Sequence, residues 1–237
     1  MLPAHDRSDD PGGGANADAT RGDRGFRACN PASIGASSPR CGAAQRERKV
    51  LGMEIKGLIL QSRKEFVVDN FGEEAWNRVL AKLPDDDRAK LGDLILTARW
   101  YPFEIGERLD KAIVDLLGGG DQKLFEDIGA KSAKRSLGKV HKSFLTPGDP
   151  QAFLEKADVI YKFYYDTGRR EYERTGPASG VLTTHEAKTF SVPDCLTVIG
   201  WYKEALRMCG ARGVEIVEEE CRARGGSCCR YRVTWTE

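Results

Sequence analysis

From residue 53 onward, apolar residues recur first at helical and then at strand spacing. Ile55, Leu58, Ile59, Phe66 and Val67 form a stripe that predicts a first helix running to Asn70. Asn70-Phe71-Gly72 interrupts it, and Ala75, Trp76, Val79 and Leu80 predict a second helix over Glu73 to Leu83. Pro84-Asp85-Asp86-Asp87 opens a short helix toward Leu91. Pro102 suits the first turn of the next, which carries Phe103, Leu109, Ile113, Leu116 and Leu117 and stops at Gly118-Gly119-Gly120. Asp121 then caps a helix through Leu124, Ile128, Ala133 and Leu137, and one more runs from Gln151 to Tyr165.

After that helix the period changes. Arg170 to Thr175 and Gly180 to His185 read as strands joined by Gly176-Pro177-Ala178-Ser179. A helix from Pro193 to Met208 follows, closed by Gly210. Val214 to Val217 and Tyr231 to Trp235 then form a terminal hairpin. Helices first and strands afterwards predict an α+β domain over 53–237, with N-terminal helices packed on a small C-terminal antiparallel sheet.

Residues 1–52 are rich in Gly, Ala, Asp, Arg, Ser and Pro and carry no apolar period. Such a segment buries too little surface to offset its ordering entropy and is expected to be a disordered tail. Cys29 and Cys41 within it read as incidental cysteines. Translation beginning at Met53 is the sharper expectation here.

A net charge of +1 among 31% charged residues argues against a nucleic-acid binder, which would carry a marked basic excess. The basic run Lys131, Lys134, Arg135, Lys139, Lys142 reads as a solvated helix face with acids nearby. No apolar run approaches the roughly 18–20 residues of a membrane span, and no secretory h-region is present. Seven cysteines without an export signal favour reduced thiols or metal ligation, hence a cytoplasmic protein.

The densest chemistry lies at the end: Cys195, then Glu218-Glu219-Glu220-Cys221-Arg222-Ala223-Arg224-Gly225-Gly226-Ser227-Cys228-Cys229. In a hairpin symmetric about Gly225, Cys221 and Cys229 face each other with Cβ atoms about 4.5–5.5 Å apart. Cys228 then points to the opposite face. This pattern points to a structural zinc site; buried, reduced packing cysteines are the alternative. No G-x-S-x-G, phosphate-binding loop, dinucleotide loop or histidine–carboxylate metal triad is present, which disfavours an enzyme.

The opening Met53-Glu54-Ile55-Lys56-Gly57-Leu58-Ile59, with Phe66-Val67, Phe71-Gly72 and Trp76, resembles the start of heme–nitric-oxide-binding (H-NOX) domains. The ending Glu218-x-x-Cys221-x-Ala223-x-Gly225, then Cys229, resembles vinyl-reductase-type sensor domains, which share an α+β fold with TRAPP trafficking subunits. As a whole, residues 53–237 look similar to a myxobacterial family in that neighbourhood. The resemblance to the sensor domains implies a zinc ion held by Cys195, Glu218, Cys221 and Cys229. Positions three apart on a regular strand face opposite ways, so Glu218 serves only through a bulge, with Glu219 in reserve.

H-NOX domains need an axial histidine on the helix before the sheet and a Tyr-x-Ser-x-Arg motif. The helix Phe153 to Tyr161 has no histidine and the motif is missing, so heme is not expected. His141 and His185 read as structural. Trp100, Phe103, Phe144, Tyr161, Tyr164 and Tyr165 are candidates for lining a pocket for a small apolar or aromatic ligand, with ordinary core as the alternative. The combined expectation is a non-enzymatic sensory domain acting through a partner protein or a homodimer. A ligand-free interaction scaffold is the alternative.

Overall fold

The computed structural model describes residues 52–139 and 141–236. The expectations about the tail, Cys29, Cys41 and the start at Met53 lie outside the described residues or rest on them.

The chain opens with a short strand, β1 (Glu54–Lys56), followed by α1 (Gly57–Phe71), α2 (Glu73–Ala81) and α3 (Asp85–Gly92). Strand β2 (Trp100–Pro102) pairs antiparallel with β1 and leads directly into α4 (Phe103–Leu117). Ile55 therefore belongs to a strand and not to the first helix, and Pro102 ends a strand instead of entering the helical turn. Helix α5 (Leu124–Lys139) follows, preceded by Asp121, whose carboxylate accepts from the Lys123 N–H. The helix expected over Gln151 to Tyr165 is two: α6 (Pro150–Leu154), capped by Asp149, and α7 (Ala157–Tyr164). The break at Glu155-Lys156 lets the Lys156 ammonium reach the Phe144 carbonyl and the Thr146 hydroxyl.

The second half is β3 (Arg169–Gly176), β4 (Ser179–His185), α8 (Val192–Met208), β5 (Arg212–Glu220) and β6 (Cys229–Thr236). The four strands form one antiparallel sheet in the order β3-β4-β6-β5. Alternation is plain on β6, where Cys229, Tyr231, Val233 and Trp235 are buried while Arg230 and Arg232 are exposed. The expected α+β architecture, helices first and a small antiparallel sheet after, is the observed one. No described helix is long and apolar enough to cross a membrane.

Helix α8 packs on α5 on one side and on β5 on the other. Its approach to α5 depends on two glycines. A Cβ on Gly200 would lie 1.9 Å from the Glu126 carbonyl oxygen, and one on Gly129 would lie 2.1 Å from that of Thr197. Both obstacles are backbone, which cannot swing aside. Gly200→Ala is expected to lower unfolding free energy by about 1–3 kcal/mol, the usual cost of overpacking; a urea titration with an unchanged midpoint would contradict this crossing. The basic face of α5 is neutralised locally, with Arg135 paired to Glu65 and Asp69 and Lys134 near Glu204.

Candidate metal centre and the adjoining cavity

Two elements bring the thiols together. Ser191 caps α8 by accepting from the Asp194 N–H, which sets Cys195 in the first turn of that helix. On the hairpin, Glu220 holds the tip: one of its oxygens accepts from the Ser227 N–H at 2.7 Å, the Ser227 hydroxyl at 2.8 Å and the Cys228 N–H at 3.3 Å. These donors hold its carboxyl down at about 2. A one-turn 3-10 segment, Arg222–Arg224, and Gly225 at φ +93° complete the reversal.

The sulfur of Cys195 lies 3.8 Å from that of Cys229 and 3.7 Å from that of Cys221. All three lie within 4.8 Å of one another, and all three are buried. A disulfide needs sulfurs about 2.05 Å apart, so these are free thiols. A tetrahedron with metal–sulfur bonds of about 2.3 Å has edges of about 3.8 Å. The three sulfurs are close enough together to hold one metal ion.

The three thiols sit in different electrostatic surroundings. Contact with Cys195 pulls the Cys229 thiol down to about 7, against burial and with help from the Arg222 N–H, which points at its sulfur from 3.5 Å. The same contact, together with burial, pushes Cys195 far up. Burial raises Cys221 as well, and the neighbouring Glu218 carboxylate adds to the rise.

The register of β5 against β6 shifts between Glu218 and Glu220, leaving Glu219 as an extra residue. Because of this bulge, Glu218 and Cys221 share the inner face despite being three apart. One Glu218 oxygen is taken by Arg224; the other, Oε1, is buried with no hydrogen-bond partner. That carboxylate lies outside the tight group of sulfurs. Glu219 turns outward to Arg232 at 2.8 Å. Cys228 has the other parity and also stands outside the group, and Cys209 is buried at the far end of α8. His185 meets Glu171 on the sheet surface, and His141 packs against Phe144 and Phe163.

A small cavity of about 40 Å³ is walled by α1, α5, α7, β3 and α8. Of the aromatic residues expected around a pocket, Tyr161, Tyr164 and Tyr165 line it. Trp100, Phe103 and Phe144 do not: Trp100 lies on β2 beneath the Lys56 ammonium, Phe103 is buried at the start of α4, and Phe144 packs on Phe163. The sequence reading missed the charged part of this wall. Arg63 on α1 makes a buried two-point ion pair with Asp110 on α4 and donates to Thr197 on α8. Asp110 holds the Arg63 guanidinium above its ordinary range even though burial alone would lower it. Arg170 enters from β3, and Asp194 accepts from the Tyr165 hydroxyl at 2.9 Å. Burial raises the Asp194 carboxyl to about 6.

Pockets for ligands of ordinary drug size run to roughly 300–1,000 Å³, against about 40 Å³ here. Tyrosine rings and the Arg170 guanidinium crowd the space.

A helical N-terminal half set against a four-stranded antiparallel sheet that α8 backs is an H-NOX-like fold. The chain aligns with the Fe(II) unliganded H-NOX protein from K. algicida at a TM-score of 0.61 and 14% identity, over 77% of this chain and 97% of that one. It aligns with the H-NOX protein from S. oneidensis in the Fe(II)NO state at 0.58 and 18%, over 77% and 99%. The solution structure of a Shewanella oneidensis H-NOX domain in the Fe(II)CO state gives 0.57 and 16%, again over 77% and 99%. At these identities the likeness is one of fold. No curated protein matches the chain. Residues 48–236 match the family described as "Protein of unknown function (DUF2378)", and the chain belongs to that family.

Proposed function

We propose that this chain is a non-enzymatic sensory domain that binds a small molecule in its interior. In this reading a structural zinc ion held by Cys195, Cys221, Cys229 and Glu218 fixes its terminal hairpin. The spacing of the three sulfurs carries the proposal, because thiols at 3.7 and 3.8 Å have the separation of zinc ligands and not of a disulfide. The buried, unpartnered Oε1 of Glu218 supports it as the fourth ligand. The ion would tie the hairpin tip to the first turn of α8. With four protein ligands it leaves no open position for substrate, which is the argument against catalysis. The likeness of Glu218-x-x-Cys221 and Cys229 to vinyl-reductase-type sensors supports both the ligand set and a sensory role.

Heme has no part in this reading, given the cavity's size. The domain would act in the cytoplasm, where thiols stay reduced, and pass its signal to a partner protein or across a homodimer. The scaffold alternative, related to trafficking subunits, draws support from the same small cavity; Arg170, buried in its wall without an ion pair among the described residues, argues against it.

Native mass spectrometry of the reduced full chain tests the metal. One zinc per chain, removed by a strong chelator with loss of near-ultraviolet circular dichroism, is the expected result. A metal-free chain of unchanged stability would end the proposal.

A further inference from the structure

The cavity wall has hydrogen-bond donors in excess. Arg170 is 5% exposed, and its Nε donates to the Thr184 hydroxyl at 2.8 Å. It forms no ion pair among the described residues. The guanidinium instead lies over the rings of Tyr161, Tyr202 and Tyr231, at 4.9, 5.5 and 6.0 Å. Around it, the hydroxyls of Tyr164 and Tyr202 and the indole N–H of Trp201 are buried without partners. All three residues line the cavity together with Arg170.

The acids nearby are already engaged. Asp110 holds Arg63 through both oxygens, and Asp194 accepts from Tyr165. A guanidinium has donors only and no acceptor, and leaving such a group buried without a directly bonded counter-charge is costly. What the wall lacks is a compact acceptor, preferably negative. One water needs about 10–15 Å³ of such space, so about 40 Å³ holds a group of roughly three or four heavy atoms. A mostly apolar surface groove of about 400 Å³ shares Ser62 and Ser132 with the cavity.

We propose that the interior cavity is a binding site for a small planar oxyanion, a carboxylate or a group of nitrite size, held against Arg170 with Tyr202, Tyr164 and Trp201 as further donors. This rests on the sensory reading above and names its ligand class. Two N–H groups of a guanidinium match two oxygens of such an anion, and the neutral donors close the remaining lone pairs.

The test follows the indole N–H resonance of Trp201, assigned with Trp201→Phe, in the zinc-loaded full chain. Sodium acetate, sodium nitrite, acetamide and phenol are titrated at constant ionic strength. Acetate or nitrite is expected to shift the resonance saturably, and acetamide is not. Tyr202→Phe, which keeps the ring, should weaken the anion about tenfold, the worth of one hydrogen bond to a charged group; Arg170→Gln should abolish binding if it folds. Saturation by phenol but by neither anion overturns the oxyanion assignment and leaves a ligand-binding domain. Saturation by none of the four probes overturns the assignment and removes the support for a small-molecule sensor too. Equal anion affinity in Tyr202→Phe refutes the donor cage even if Arg170→Gln does not fold.

Discussion

Cys221→Ser and Cys229→Ser are each expected to release the metal and lower the thermal midpoint by roughly 6–12 °C, whereas Cys228→Ser does neither. The magnitude follows from two general figures. Structural zinc contributes about 10–16 kcal/mol in peptides that fold only with metal. Here β5 and β6 are paired along most of their length without it, so about 3 kcal/mol, a fraction of that value, is at stake. For a domain of this size each kcal/mol moves the midpoint by roughly 2–4 °C. The contrast among the three cysteines carries the argument. All are buried, so a packing role would make their truncations alike. A metal role separates them, because only Cys221 and Cys229 join Cys195 in the sulfur group. Glu218→Gln should weaken zinc without abolishing it, since the three thiolates remain. Differential scanning calorimetry with zinc quantified in the same samples reads both effects. Equal losses for Cys221, Cys228 and Cys229 would contradict the hairpin geometry.

The hairpin was the most legible part of the chain. Symmetry about Gly225 puts Cys221 opposite Cys229, and the observed pairing of Glu220 with Arg230 has that register. The position of Glu218 was legible only as a conflict, since strand parity forbids what the resemblance required. The bulge at Glu219 removes the conflict, and nothing in Glu218-Glu219-Glu220 marks which of the three is the extra residue. Strands β1 and β2 escaped notice because Ile55 stands four residues before Ile59 and so continues the helical stripe. Three-residue strands carry too few alternations to show a period of two. The pocket was half legible. Tyr161, Tyr164 and Tyr165 lie on or next to one helix face, but aromatic content alone could not separate them from Phe103 or Phe144, which fill core. The charged residues of the wall did leave a signal. Arg63 sits four after Ile59 and three before Phe66, on the buried stripe of α1, and Asp110 lies among the buried positions Leu109, Ala112, Ile113 and Val114 of α4. A charge on an apolar stripe either destabilises its helix or has a partner, and the two partners here are 47 residues apart.

Arg63→Ala and Asp110→Ala are each expected to destabilise the fold by about 3–5 kcal/mol, because either leaves an uncompensated charge in the interior. The double replacement Arg63→Met with Asp110→Leu should recover most of that loss. Both charges are fully enclosed, and Arg63 reaches Asp110 at 3.1 and 3.3 Å and Thr197 at 3.1 Å. The pair therefore joins α1, α4 and α8, the helix that carries Cys195. Thr197 does not depend on it, because its hydroxyl also donates to the Pro193 carbonyl at 2.9 Å. Recovery should still be incomplete. Arg63 lowers the Asp194 carboxyl as well, opposing the burial that raises it, and an apolar pair removes that field. Urea unfolding of the wild type, Arg63→Met, Asp110→Leu and the double variant gives the coupling energy directly from the cycle. A double variant as unstable as the sum of the singles would mean that the residues act separately, and that a buried ion pair is not what locks α8 to the N-terminal helices.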